Sequence, residues 1–214
     1  GLLDAAAAQN IAFTSMGAIG VLRTLTAAHR LSIVPCHVAQ VGPLIEQGLI
    51  GCDVAFVQVS PPDANGNHSF GLTNDFIHVA VAKARVVIAE VNDQVPFTYG
   101  DAVLPASRIT CALRVSRTPV EVMPAPLHDL DRAIARAVAE YIADGSVLQV
   151  GIGAVPDAIL RLLHDRRDLG VHSGMLGDAL LELIEAGVVT NARKAIDAGV
   201  SVTTALIGSR RLYE

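Results

Sequence analysis

The sequence predicts an α/β protein with a largely parallel sheet, and three observations carry the prediction. Short β-branched runs alternate with segments of helical periodicity. The clearest helical segment, 127–145, repeats Leu130, Ala133, Ile134, Ala137, Val138, Tyr141 and Ile142 on one face, with Arg and Asp on the other. A glycine-rich turn, GIGAVP at 151–156, stands between a predicted strand and a predicted helix. Strands that alternate with helices in this way build a sheet covered by helices.

Taken in order, AAAA at 5–8 is plain helix former, and strands are predicted over 30–35, 52–60, 84–92, 146–153, 170–175 and 201–208. The segment TPVEVMPAPLHD at 118–129 carries Pro119, Pro124 and Pro126, so it cannot lie inside a sheet. It predicts a linker over 118–125, with one domain over 1–117 and a second over 126–214. The chain begins at Gly1 without an initiator Met and reaches Glu214 with the second pattern unfinished, which predicts a piece of something longer.

Composition narrows the function. With 214 residues, 51% hydrophobic and 17% charged, the chain can bury a substantial core. A net charge of −5, no long basic run, 4% aromatics and no Trp leave neither a phosphate-tracking stripe nor a base-stacking platform, so nucleic acid is not an expected partner. Cys36, Cys52 and Cys111 lack CxxC spacing, so they predict free thiols in a reducing compartment, the cytoplasm, and no metal site. Apolar runs break well before the ~18 residues a membrane helix needs, so no membrane association is expected.

At 146–164 the order is strand, turn, helix. Gly151 and Gly153 give the backbone freedom to approach a ligand, Pro156 suits a first helical turn, and Asp157 complements the helix dipole. Ile159, Leu160, Leu162 and Leu163 would form the buried face. Free amides at that helix start would face an anion or a polarised carbonyl. A dinucleotide-binding reading fails on its third glycine, where Pro156 stands, and on the acid that GVHSGM lacks.

GIGAVPDAILRLL, LGVHSGM and AGVVTNARK, with VSPPDANGNHSFG, AKARVVIAEVN and PFTYGD upstream, resemble in this order the acetyl-CoA hydrolase/transferase family. The resemblance runs from roughly residue 30 to the end. It implies two related open α/β domains with largely parallel sheets, the second incomplete here, and an oligomeric protein. It also implies small acyl-CoA thioesters and carboxylates as ligands, coenzyme A entering as the acyl-CoA substrate. By resemblance Gly151, Ile152, Gly153, Ala154 and Val155 border CoA and hold the thioester oxyanion. The family's nucleophile is a glutamate that follows a His-Ser or His-Thr pair and precedes Met; here the run is His172, Ser173, Gly174, Met175. Glycine cannot form a glutamyl thioester, so covalent transfer through position 174 is not expected. The expected function is that of a CoA-transferase or acyl-CoA hydrolase homologue with this chemistry in doubt, or of a noncatalytic CoA-binding scaffold.

Other residues keep two readings. His172 is a base for water or a structural strand residue. Asp178, Glu182, Glu185 and Glu90 are the acids that could stand in for the nucleophile, although Asp178 also fits a helix N-cap and the next two a solvated face. Tyr99 stands where relatives commonly carry His; Thr98 and Asp101 shape an acyl pocket or cap a turn. Ser60, Pro61, Pro62, Asp63, Asn65 and Gly66 form a rigid loop that connects strands or meets substrate. His37 has no second metal ligand at useful spacing. His29, His68, His78, His128 and His164 receive no role.

Overall fold

The computed structural model describes residues 10–20, 22–100 and 102–214. The predicted helix at 5–8 and Asp101 lie outside them. The chain forms two compact units, one of residues 1–53 and 75–85, the other of 54–74 and 86–214.

In the first unit, β1 (Phe13–Ser15) and β2 (Leu31–Ile33) pair in parallel around α1 (Leu22–Ala27). Helix α2 (Val38–Glu46) packs on α3 (Ile77–Lys83), where Gly42 meets Val79. His37 precedes α2, and its backbone N–H donates to Gln40 Oε1 at 3.2 Å, a capping arrangement.

The second unit holds two parallel three-stranded sheets. One orders β3 (Val54–Val59), β5 (Val86–Asn92) and β7 (Cys111–Val115), with β5 central. A small antiparallel pair, β4 (Asn67–Ser69) with β6 (Val103–Pro105), lies in the same unit. After the irregular stretch 116–128 come α4 (Asp129–Ala139), β8 (Val147–Leu148), α5 (Ala154–Leu160), β9 (Gly170–Ser173), α6 (Asp178–Glu185), β10 (Val202–Thr203) and α7 (Arg210–Tyr213). Strands β10, β9 and β8 form the second sheet in that order, all parallel. The fold is therefore α/β with mainly parallel sheets. Among the described residues no helix is long and apolar enough to cross a membrane.

Leu160, Leu163, Leu169, Val171, Leu176, Leu180 and Leu183 make one buried cluster beneath the second sheet. Each such side chain contributes roughly 1.5–3 kcal/mol by leaving water. This core fixes β9 between α5 and α6 and so positions the loops at its end.

Three local expectations change. Helix α4 seats on α5 through the small residues Ala135 and Ala139, which allow close approach, while Leu130 and Tyr141 of the predicted apolar face remain 70% and 89% exposed. Helix α5 ends at Leu160, so Leu162 falls in the following turn and is 44% exposed. The runs 146–153 and 201–208 shorten to strands of two residues each, the second followed by single bridges from Ala205 to Thr73 and from Leu206 to Leu176.

Candidate functional site

A parallel sheet brings the carboxyl ends of its strands to one edge, where open α/β folds bind ligands. At the second sheet that edge gathers the segments after β8, β9 and β10. The register Leu148↔Val171, carried two residues further, sets Val150 beside Ser173, and the bonds of the Ser173 hydroxyl to Val150 hold them there. Ser173 makes this neighbourhood rigid. Its buried hydroxyl accepts from Val150 N–H at 3.0 Å and from Met175 N–H at 3.3 Å, and donates to the Val150 carbonyl at 3.2 Å. A Ser173→Ala variant should lose about 1–3 kcal/mol of stability in urea denaturation, because two amides lose their acceptor.

The turn that follows holds its amides unspent. None of the N–H groups of Gly151, Ile152, Gly153, Ala154 and Val155 donates to a backbone or side-chain acceptor among the described residues. Gly153 is the N-cap of α5 with φ 143°, a conformation that requires glycine. Gly151 does not share it; its place is open, with no atom within 4 Å of a Cβ. Ile152 projects outward. The loop thus presents backbone donors on an exposed edge with little side chain in front of them.

Gly174 is exposed, lies outside the left-handed region, and would carry a Cβ into open space. Its carbonyl accepts from Thr204 Oγ1 at 2.7 Å, which fixes the end of β9 to the segment after β10. His172 is a paired residue of β9 whose exposed ring makes no hydrogen bond among the described residues. Position 174 is the first residue past β9 and lies two residues beyond His172.

Beside this edge lies a cleft of about 750 Å³ whose lining includes Leu72, Asn74, Phe97, Tyr99, Leu176 and Thr204. It joins the PFTYG and GLTN segments to the residues around Gly174. Tyr99 is 94% exposed in its wall, with the Phe97 ring 5.6 Å away. Thr98 also lines the cleft, yet its hydroxyl is committed to the Gly71 carbonyl at 2.9 Å and to Ser69 Oγ at 2.8 Å.

The acids that could replace a missing nucleophile are engaged elsewhere. Asp178 is the first residue of α6, not its cap, which is Gly177; its carboxylate accepts from Ser209 N–H and Oγ, both at 2.9 Å. Glu182 accepts from Arg161 at 2.8 Å, and Glu185 pairs with Arg211. Glu90 belongs to the other sheet, where Gln58 donates at 2.7 Å and Arg117 at 3.0 Å. The Ser60 to Gly66 loop is likewise internally satisfied. Ser60 Oγ donates to the Pro61 carbonyl, and Asp63 accepts from the amides of Asn65 and Asn67, with the Asn67 bond the main cause of a lowered Asp63 carboxyl pKa.

For Asp157 the structure adds an environment that the sequence did not announce. Burial raises the pKa of Asp157 in the first turn of α5; Arg161 opposes the shift, and Asp178 and Glu182 add to it. A raised carboxyl pKa means the folded chain holds the proton more tightly than the unfolded one. This residue's contribution to stability therefore falls as pH rises from the ordinary Asp value through the raised one. Asp157→Asn should melt higher than the parent at neutral pH, and the gap should close as the buffer is brought below the ordinary Asp range.

An α/β chain that leaves amides unspent at the carboxyl edge of a parallel sheet has a donor arrangement that suits anionic or carbonyl groups. It belongs to the acetyl-CoA hydrolase/transferase family, whose N-terminal domain model matches residues 5–158. A 4-hydroxybutyrate coenzyme A transferase of Clostridium kluyveri is 40% identical over 195 residues, 91% of this chain and 46% of that protein. A crystal structure of a 4-hydroxybutyrate CoA-transferase from Porphyromonas gingivalis matches with a TM-score of 0.82 at 36% identity, covering 94% of this chain and 52% of the other. RipA from Yersinia pestis matches with a TM-score of 0.94 at 32% identity over 100% of this chain and 51% of its own. The chain thus spans about half the length of these relatives.

Proposed function

We propose that this chain holds small acyl-CoA thioesters at the 151–155 turn and lacks the covalent step of CoA transfer, because Gly174 stands in the place of the nucleophilic glutamate. The observation that carries this reading is the row of unspent amides from Gly151 to Val155, tied through the adjoining Val150 to Ser173, the residue preceding Gly174. Such donors, aimed at a thioester oxygen, stabilise the oxyanion by roughly 10²–10³ in rate. The cleft beside Leu176 and Thr204 would take the acyl group, and the pantetheine arm would approach along the turn. The linker at 118–125 divides two CoA-transferase-like domains in this reading, and the wider protein would be an oligomer in the cytoplasm.

Incubation with acetyl-CoA, followed by thiol detection and by calorimetry, tests the proposal. Saturable binding with thiol release at the buffer rate is the expected result. The absence of any acetyl-CoA binding would overturn it.

A second reading has one observation in its favour. His172, whose exposed ring is unpartnered among the described residues and lies two residues before position 174, could draw a proton from water that attacks the thioester directly. Thiol release well above buffer, abolished by His172→Gln with binding retained, would select this hydrolase.

A further inference from the structure

A second cleft in the larger unit stands apart from the acyl-CoA reading. It encloses about 700 Å³ against edge strand β7 and the Ser60 to Asp63 loop, with Pro61, His68, Asp93, Ile109 and Arg114 in its lining.

Its polar groups have fixed hydrogen-bonding characters. His68 is 5% exposed, and its Nδ1 lies 2.7 Å from the Ser60 carbonyl oxygen. A carbonyl only accepts, so Nδ1 carries the hydrogen, and in the neutral ring Nε2 holds a lone pair. That Nε2 finds no partner among the described residues, while the ring lines the cleft. Among the described residues the fully buried side-chain atom without a partner is Asn74 Oδ1, so His68 Nε2 is open to the cleft and accepts from whatever donor occupies it. Arg114 is a donor only, and its guanidinium makes no ion pair among the described residues. The exposed Asp93 side chain offers acceptor oxygens, and it is not within ion-pair distance of Arg114. Pro61, Ile109 and Val115 supply apolar wall.

One donor fork and two acceptors in a single cleft define a complementary ligand. The acceptor it presents to Arg114 must be anionic for a strong bidentate contact. The groups it presents to His68 and Asp93 must carry N–H or O–H hydrogens. We infer that the cleft binds a small carboxylic acid bearing an amino or hydroxyl group close to its carboxylate, with Arg114 on the carboxylate and His68 Nε2 accepting from the second group. A plain carboxylate leaves both acceptors unmet and sets its charge near Asp93. A plain amine leaves Arg114 unmet.

Calorimetric titration of the full 214-residue chain with L-alanine, L-lactate, propionate and ethylamine tests the inference. Saturable one-to-one binding of alanine or lactate is expected, the tighter of the two identifying the second group, with propionate and ethylamine weaker by about tenfold or more. Arg114→Met, an exposed change that should leave the melting temperature unaltered, should weaken the preferred ligand by about tenfold. His68→Phe should erase the preference over propionate; if that variant does not fold, the propionate comparison and Arg114→Met still decide. The inference is overturned if neither alanine nor lactate saturates, if propionate binds as tightly, or if Arg114→Met binds like the parent. Acetyl-CoA is titrated in parallel and should bind Arg114→Met as it binds the parent, so failure of the acyl-CoA reading is seen separately.

Discussion

Gly174→Glu is expected to turn a chain that holds acetyl-CoA into one that reacts with it, accumulating a borohydride-sensitive glutamyl-CoA thioester. The backbone already accommodates the side chain: a Cβ at 174 meets nothing within 4 Å, and the residue is not in the left-handed region. The new carboxylate would emerge just past the end of β9, one residue beyond the Ser173 link to Val150 and the amide turn. Its oxygen attacks the thioester carbonyl carbon, the C–S bond breaks, and CoA leaves as the thiolate, giving an acyl-glutamyl anhydride. The thiolate then attacks the glutamyl carbonyl and expels acetate, which leaves glutamyl-CoA. Splitting one hard exchange into two easier steps is the general advantage of covalent catalysis. Because the parent has no side chain at this position, its rate by this route should be indistinguishable from buffer. A folded Gly174→Glu protein that binds acetyl-CoA and yields no adduct by mass spectrometry would show that position 174 does not face the thioester.

The second large effect concerns stability. Asn191→Leu should lower unfolding free energy by about 2–4 kcal/mol, as read from the urea midpoint. Asn191 is buried in the left-handed region with φ 57°, a conformation that asparagine tolerates and a branched side chain does not. Its Oδ1 accepts from the buried Val171 N–H of β9 at 2.8 Å, and its Nδ2 donates to Ser201 Oγ at 3.0 Å. Leucine both strains the backbone and strands the Val171 donor. The two causes separate in companion variants: Asn191→Asp keeps the acceptor and should cost least, whereas Asn191→Gly relieves the backbone and still loses the bond. Lys194 reinforces the same junction, its Nζ donating to the carbonyls of Val171 at 3.0 Å and Val200 at 2.7 Å. Equal losses for the aspartate and leucine variants would mean that neither the bond nor the backbone conformation matters here.

The fold class was legible because β-branched runs and helical periodicity are local. The strands at 54–59 and 86–92 follow directly from their Val-rich runs, and the turn at 151–155 from its glycines. The resemblance added what local pattern cannot, the family. What escaped depends on partners distant in sequence. No pattern around Ser173 announces that its hydroxyl clamps Val150, nor does AGVVTNARK reveal that Asn191 and Lys194 brace β9. The apolar face of α4 was misassigned for a related reason: periodicity finds the stripe, but alanines at 135 and 139 decide which face approaches α5. His68 carried no signal until the fold turned its Nδ1 toward Ser60 and its ring into a cleft.

The central claim is that the amides after β8 address a thioester at a site whose attacking group is gone. Amide NMR of the ¹⁵N-labelled chain, titrated with a nonhydrolysable acetyl-CoA analogue, tests it most directly. The predicted result is saturable shifts in the resonances of Gly151 to Val155 and of Gly174 and Met175, moving together with one affinity. Binding that leaves these resonances still while shifting others, or no binding at all, would contradict the account.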